Sequence, residues 1–355
     1  MDIGISDIAL SSSIPNRIVV DSLNDGDRFT VEVGIDGSTV YSTTLYGSDS
    51  RALFYNLGDI VSDHMRAHRL TLARLTVRAF FDNGSDSAEC WVVFADIRTA
   101  YASDSDFLRS QFLSSRRVQV VPRSASLRAA FVINGQDQES PTGLLSVAFR
   151  RRDGSVGTDN IGVSLTDERE THLYEFAFSE ADISGLVGES QGTEGLTVMG
   201  GSLVVGRRSV EFYFVDDRPV DRFAFVNAFN IREDYHALGA RTVKTVTDRK
   251  EGVASGITSY YDQSTERTVG IVTVPLSLEE ASWLNEFLTS PYVSMAVTAD
   301  NDQEVLLSDI ESEIAESGKD QVVVKFAWRF ADGKVWRVYE EGVRVFDAEY
   351  NTKFK

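Results

Sequence analysis

Asp or Asn followed by Gly recurs between apolar or alternating runs of this 355-residue chain, at Asp36-Gly37, Asn83-Gly84, Asn134-Gly135, Asp153-Gly154 and Asp332-Gly333. These residues tolerate the positive φ that a two-residue type I′ connection requires, so each pair predicts two antiparallel strands joined by a tight turn. The clearest case is FTVEVGIDGSTVYSTTLY. Phe29, Val31, Val33 and Ile35 alternate with polar neighbours before the turn, and Val40 and Tyr41 resume the pattern after it. Alternation at period two lays one face on a core and leaves the other in water. The pattern predicts a mainly β chain of β-sandwich-like modules.

Helical signals are few. SLEEASWLNEFLTS, Ser277 to Ser290, opens on an S-x-x-E capping box and carries Ala281, Leu284, Phe287 and Leu288 at helical spacing between Pro275 and Pro291. Two shorter helices are predicted over Asp59 to His68 and Asp106 to Leu113. A break is expected in the basic, Pro-containing stretch 114–124, and a second in the Gly-rich stretch 185–195. These breaks give an N-terminal β-module with a helix (1–113), a second β-module (114–190) and a C-terminal α+β domain (191–355). The first two segments look alike. Each has a strand, a D-G-S turn, further strands and an aromatic run ending in Asp-Ile, at Asp59-Ile60 and Asp182-Ile183.

Charge narrows the partners. The chain carries 54 acidic against 35 basic side chains, a net charge of -19. Phosphate backbones and anionic membranes both call for clustered Lys and Arg, so neither nucleic acid nor a membrane surface is an expected partner. The 42% hydrophobic content suffices for a core in each domain. The N-terminus reads as no signal peptide and no apolar run approaches a membrane span, so folding in a cytoplasm is expected. Cys90 is the one cysteine. It lies in the apolar run AECWVVF and reads as a buried structural thiol.

The candidates for chemistry are weak. His64 and His68 share a helix face in HMRAH, but Met65 stands where a zinc protease would carry its glutamate. Asp300, Asp302, Glu304 and Glu311 fit a calcium-loop frame, yet Val305 replaces the glycine that the sharp turn needs. Asp216 and Asp217 sit beside Arg218 and Arg222, which reads as a charge-balanced turn. There is no phosphate-cradling glycine loop and no nucleophile elbow. No enzyme activity, cofactor or metal is expected.

In the C-terminal third, the strand Arg208 to Asp217 precedes FAFVNAFNIRE, a Tyr260-Tyr261-Asp262 strand, the capped helix ending TSPYV, and then VLLSDIESEI and VKFAWRFADGKVW. This order resembles the tail-associated structural proteins of tailed phages and prophages of gut Bacteroidetes. The counterparts are Phe225, Asn227 and Phe229; Thr289, Ser290 and Val293; and Asp309 with Ile310. Asn230 stands where that family usually has Gly. The resemblance implies a non-enzymatic tail or baseplate component, forming an oligomeric ring with itself and contacting other virion proteins. Its expected location is the tail region of a virion assembled in the host bacterial cytoplasm. The alternative is a monomeric β-sandwich that binds a carbohydrate or other ligand.

The densest stretch is FAFVNAFNIREDYH, Phe223 to His236. Phe223, Phe225 and Phe229 read as one strand face directed at a core, and Asn227 and Asn230 as shapers of the strand end. Asn230, Arg232, Glu233, Asp234 and His236 read as a polar loop and a candidate interface.

Overall fold

The computed structural model describes residues 6–21, 26–48, 51–82, 84–135, 142–165, 170–192, 195–216, 221–298, 301–311 and 320–332. The chain forms two compact units. One comprises residues 1–215 together with 227–231, the other 216–226 and 232–355. Both are mainly β.

The first unit holds two modules of the same design. The first module runs β1 (Ile8–Leu10), β2 (Arg17–Asp21), β3 (Arg28–Ile35), β4 (Ser38–Tyr46), β5 (Arg51–Tyr55), α1 (Leu57–His68), β6 (Leu72–Phe81) and β7 (Gly84–Val93). A short helix, α2 (Asp104–Ser110), follows. The second module runs β8 (Val118–Pro122), β9 (Ser126–Ile133), β10 (Thr142–Arg150), β11 (Val156–Ser164), β12 (His172–Ser179), α3 (Glu180–Gln191), β13 (Thr197–Val205) and β14 (Arg208–Val215). The main sheet of the first has the order β1-β7-β6-β3-β4, with β2 and β5 paired separately. That of the second has the order β8-β14-β13-β10-β11, with β9 and β12 paired separately. The first strand of each module joins its sheet in parallel, β1 on β7 and β8 on β14.

The sequence landmarks fall at equivalent places. Asp36-Gly37 turns β3 into β4, and Asp153-Gly154 turns β10 into β11. Asp36 and Gly37 have φ of 50° and 80°, both positive as a type I′ turn requires. Each Asp-Ile pair occupies the third and fourth positions of its helix, counted from the N-caps Asn56 and Ser179. Alternating residues fill one core per module. Phe29, Val31 and Val33 meet Val61 and Met65 of α1 in the first. Phe131, Phe149 and Phe212 meet Ile183 and Val187 of α3 in the second.

This duplication corrects two readings. The break expected after residue 190 is not a domain boundary, because β13 and β14 complete the second module's sheet and carry its core to Phe214. Helix α3 occupies most of that Gly-rich stretch and is held by a reciprocal Ser179–Asp182 capping box. The other predicted helices form over slightly shifted spans, Leu57–His68 and Asp104–Ser110. Of the turn pairs, Asn83 and Gly333 lie outside the described residues.

A further core joins Ile8, Leu10, Val93, Phe107, Leu113, Ala130 and Val132. Buried Arg208 serves this region. Its guanidinium donates to the carbonyls of Leu108 and Val132 and lies 4.9 Å from the centre of the Phe131 ring.

The second unit is built on a seven-stranded sheet. Its elements are β15 (Asp221–Val226), β16 (Arg232–Ala237), β17 (Gly239–Ala254), β18 (Ile257–Thr273), β19 (Leu276–Ser277), α4 (Leu278–Thr289), β20 (Val293–Thr298), β21 (Asn301–Glu311), β22 (Gln321–Val322) and β23 (Lys325–Phe330). The sheet order is β16-β15-β20-β21-β23-β18-β17. Its two edge strands are thus separated in the chain by one residue, Leu238. The sheet therefore curls enough to bring the end of one edge strand to the start of the other, although the two are not paired. Gly239 stands at this junction, where a Cβ would meet the Val272 carbonyl oxygen at 2.0 Å. Inside, Phe223, Tyr235, Phe287 and Phe326 form an aromatic cluster with centroid separations of 4.9–6.4 Å. Helix α4, capped by Ser277 and Glu280 as its sequence predicts, contributes Trp283, Leu284, Phe287 and Leu288 to that core.

Candidate functional site: an exposed two-stranded ribbon

The structure divides the stretch Phe223 to His236 among three settings. Phe223 and Phe225 on β15 are core, each 1% exposed. The strand ends at Val226, so Phe229 does not share their face. It stacks on Phe107 in the first unit, with centroids 5.7 Å apart. Residues 227–231 are fixed by their asparagines. Asn227 donates its side-chain amide to the Leu113 carbonyl at 2.8 Å and accepts from the backbone N–H of Phe229 and Ile231 at 2.9 and 3.0 Å. Asn230 is left-handed, with φ of 59°, and donates to the carbonyls of Met65 and Leu70 at the end of α1.

The remaining candidates do not form a loop. Arg232, Glu233, Asp234 and His236 lie on strand β16, paired antiparallel to β15. Glu233 is turned inward and accepts from the Trp283 indole N–H at 2.6 Å. Arg232 pairs with Asp302 and Asp234. Alternation along R-E-D-Y-H-A was the missed signal. Buried Glu233, Tyr235 and Ala237 sit at period two, hidden because a carboxylate occupies an inward position.

The other chemical candidates resolve into structure. His64 and His68 stack at 4.1 Å between ring centroids, and His68 Nδ1 lies 2.9 Å from the His64 carbonyl oxygen, which does not aim two lone pairs at one point. Among the described residues no three His, Cys, Asp or Glu side chains are grouped for a metal. The calcium-frame positions Asp302, Glu304 and Glu311 lie on strand β21, and Asp300 lies outside the described residues, as does Asp217. Burial, and then the charge of Asp7, pushes the Cys90 thiol up to about 12. Trp283 and Trp328 are core, and Trp91 packs partly buried beside the further core of the first unit. Trp336 lies outside the described residues.

The feature that sequence reading missed is the hairpin β17–β18. Its strands, 16 and 17 residues long, exceed the usual three to ten. Strand β18 also pairs with β23, but only over Val269 to Val272. Beyond that point, from Lys244 opposite Thr268 to Ala254 opposite Ile257, the two strands pair only with each other among the described residues. Eleven residues of β17 and twelve of β18 correspond to a ribbon roughly 35 Å long. Ser255 and Gly256 turn its tip with φ of 55° and 77°. The missed signals were this Ser-Gly pair and the β-branched content of TVKTVT.

One face of the ribbon carries Val269 and Ile271 into the core at its base. Register places Val243, Thr245, Thr247, Arg249, Thr265 and Arg267 on that same face further out, so its formal charges there, before a bulge at Lys250/Glu251, are all positive. Near the tip, the Arg249 guanidinium lies 5.1 Å from the centre of the Tyr260 ring. The opposite face mixes Lys250 with Asp262, paired at 2.8 Å, and holds Val246, 51% exposed. Residues 239–273 contain five basic and four acidic side chains, whereas the whole chain is at -19.

No family model and no curated protein sequence matches this chain. Among solved structures it is similar to the full extracellular region of Plexin A4, with 8% identity, a TM-score of 0.19, and coverage of 93% of this chain and 39% of that one. A likeness at that level carries no argument about fold or role. No described helix is long and apolar enough to cross a membrane.

Proposed function

We propose that this chain is a non-enzymatic structural subunit of a phage or phage-like tail or baseplate, built to associate with copies of itself and with other tail proteins. The ribbon carries the reading. A two-stranded sheet is at best marginally stable alone in water, and this one extends for eleven residue pairs that, among the described residues, no third strand joins and whose side chains are mostly exposed. It leaves Val253, Ile257 and Tyr261 about 70% exposed. Apolar side chains held out on an ordered arm fit a contact made with another chain. The tail assignment itself rests on the sequence resemblance. Closed rings or open stacks arise when an arm of one copy meets a different surface of the next, which is a head-to-tail contact.

Light scattering coupled to size exclusion, across a concentration series and at two salt concentrations, tests the reading. Concentration-dependent oligomers are expected. A strict monomer at every concentration, also absent from particles produced with its neighbouring genes, would remove it.

A further inference from the structure

The duplicated modules supply an internal control for what a solvated sheet face looks like in this protein. On the outer face of the first module, strands β3, β6 and β7 carry Arg28, Glu32, Arg74, Arg78 and Glu89 around Phe80, which is 40% exposed, with Arg74 and Glu89 paired at 2.6 Å. The equivalent strands of the second module, β10, β13 and β14, carry only Arg150 and Glu211 there. In place of the other charges stand Leu144, Ser146, Ala148, Ser202, Val204 and Tyr213. Leu144 is 43% and Tyr213 50% exposed, and a Cβ on Gly200 would meet the Tyr213 ring at 2.9 Å. Two copies of one topology in one acidic chain differ in this respect, and the second has the composition of a surface that is covered.

We infer that this face of the second module receives the ribbon of a second copy of the chain, a contact that rests on the self-assembly proposed above. Size fits. Four strands of eight or nine residues and the five-residue β8, at ~4.8 Å spacing, present a face of ~24 by ~30 Å at its widest, broad enough to seat most of a ribbon ~10 Å wide. Charge fits. Two chains at -19 repel each other over most of their surfaces. The ribbon face with Arg249 and Arg267, and with Glu251 beyond the bulge, is net positive and meets a sheet whose one central charge is Glu211. Because ribbon and receiving face are different surfaces of one chain, the contact is head-to-tail and repeats from copy to copy.

Complementation tests this. Thr247→Glu with Tyr260→Glu spoils the ribbon, and Leu144→Glu with Tyr213→Glu spoils the face. All four side chains lie on strand faces that the structure leaves open, and circular dichroism with thermal melting checks that each double variant folds. Each alone is expected to be monomeric where the unaltered chain is oligomeric. Mixed in equal amounts, with one variant tagged for mass, they are expected to give a one-to-one heterodimer that grows no further, since the pair uses the one intact ribbon and the one intact face and leaves only the spoiled ones free. If the unaltered chain assembles but the folded variants do not complement, or the face variant still assembles, this contact is overturned while self-assembly stands. An unaltered chain that never assembles overturns both.

Discussion

At the scale of single residues, the polar groups that looked like a site are structural. Asn227 satisfies three backbone groups with one side chain. Removing it strands buried N–H and C=O groups, each at about 1–3 kcal/mol. Asn227→Ala is therefore expected to lower stability in urea melts by about 2–4 kcal/mol, and Asn227→Asp, which keeps the acceptor, by less. Phe225 lies against Trp283 and Phe287, with centroids at 5.8 and 5.6 Å. Phe225→Ala is expected to cost about 3–5 kcal/mol as a core truncation; a loss below 1 kcal/mol would mean that the ring is not held there. The Cys90 thiol, pushed up to about 12, stays protonated through the neutral range, and the thiolate is the reactive form. A thiol reagent at pH 8 should therefore label the folded protein very slowly and the denatured protein at once.

At the scale of elements, legibility followed how local the cause is. The capping box on α4 is written in Ser277 and Glu280, and both reciprocal bonds are present. Ser277→Ala should cost about 1 kcal/mol of stability. The Asp36-Gly37 turn was equally readable, because the left-handed backbone and the residues that tolerate it are the same few positions. The resemblance between the first two segments survives as one shared topology. Helix α3 was missed because its glycines obscured a capping box that uses Asp rather than Glu. The strand β16 was missed because Glu233 faces inward to a tryptophan 50 residues away. No local pattern reveals a partner at that distance. The ribbon was missed for the opposite reason. Its outer residues are exposed on both faces, so period two did not separate apolar from polar.

At the scale of the whole molecule, the chain combines a duplicated sandwich, a curled sheet with its helix, and an arm. The second boundary expected from sequence cut one repeat in two, since low apolar content near residue 190 marks the end of a helix and not the end of a core. A chain at -19 that associates with itself must overcome its own field. Raising salt shortens the range of that repulsion, from a Debye length of about 30 Å at 0.01 M to about 8 Å at 0.15 M. Self-association is therefore expected to strengthen over this interval by sedimentation velocity. Weakening instead would mean that ion pairs at the contact outweigh the repulsion between bodies.

The hairpin also has a mechanical consequence. Pulled apart at the ends where β17 and β18 enter the sheet, such a ribbon opens one pair at a time, and each pair bears the full load in turn. Gripped along its length and pulled toward its tip, it loads many cross-strand hydrogen bonds together. A contact spread along one face of β17–β18 would therefore resist traction along the arm far better than peeling across it.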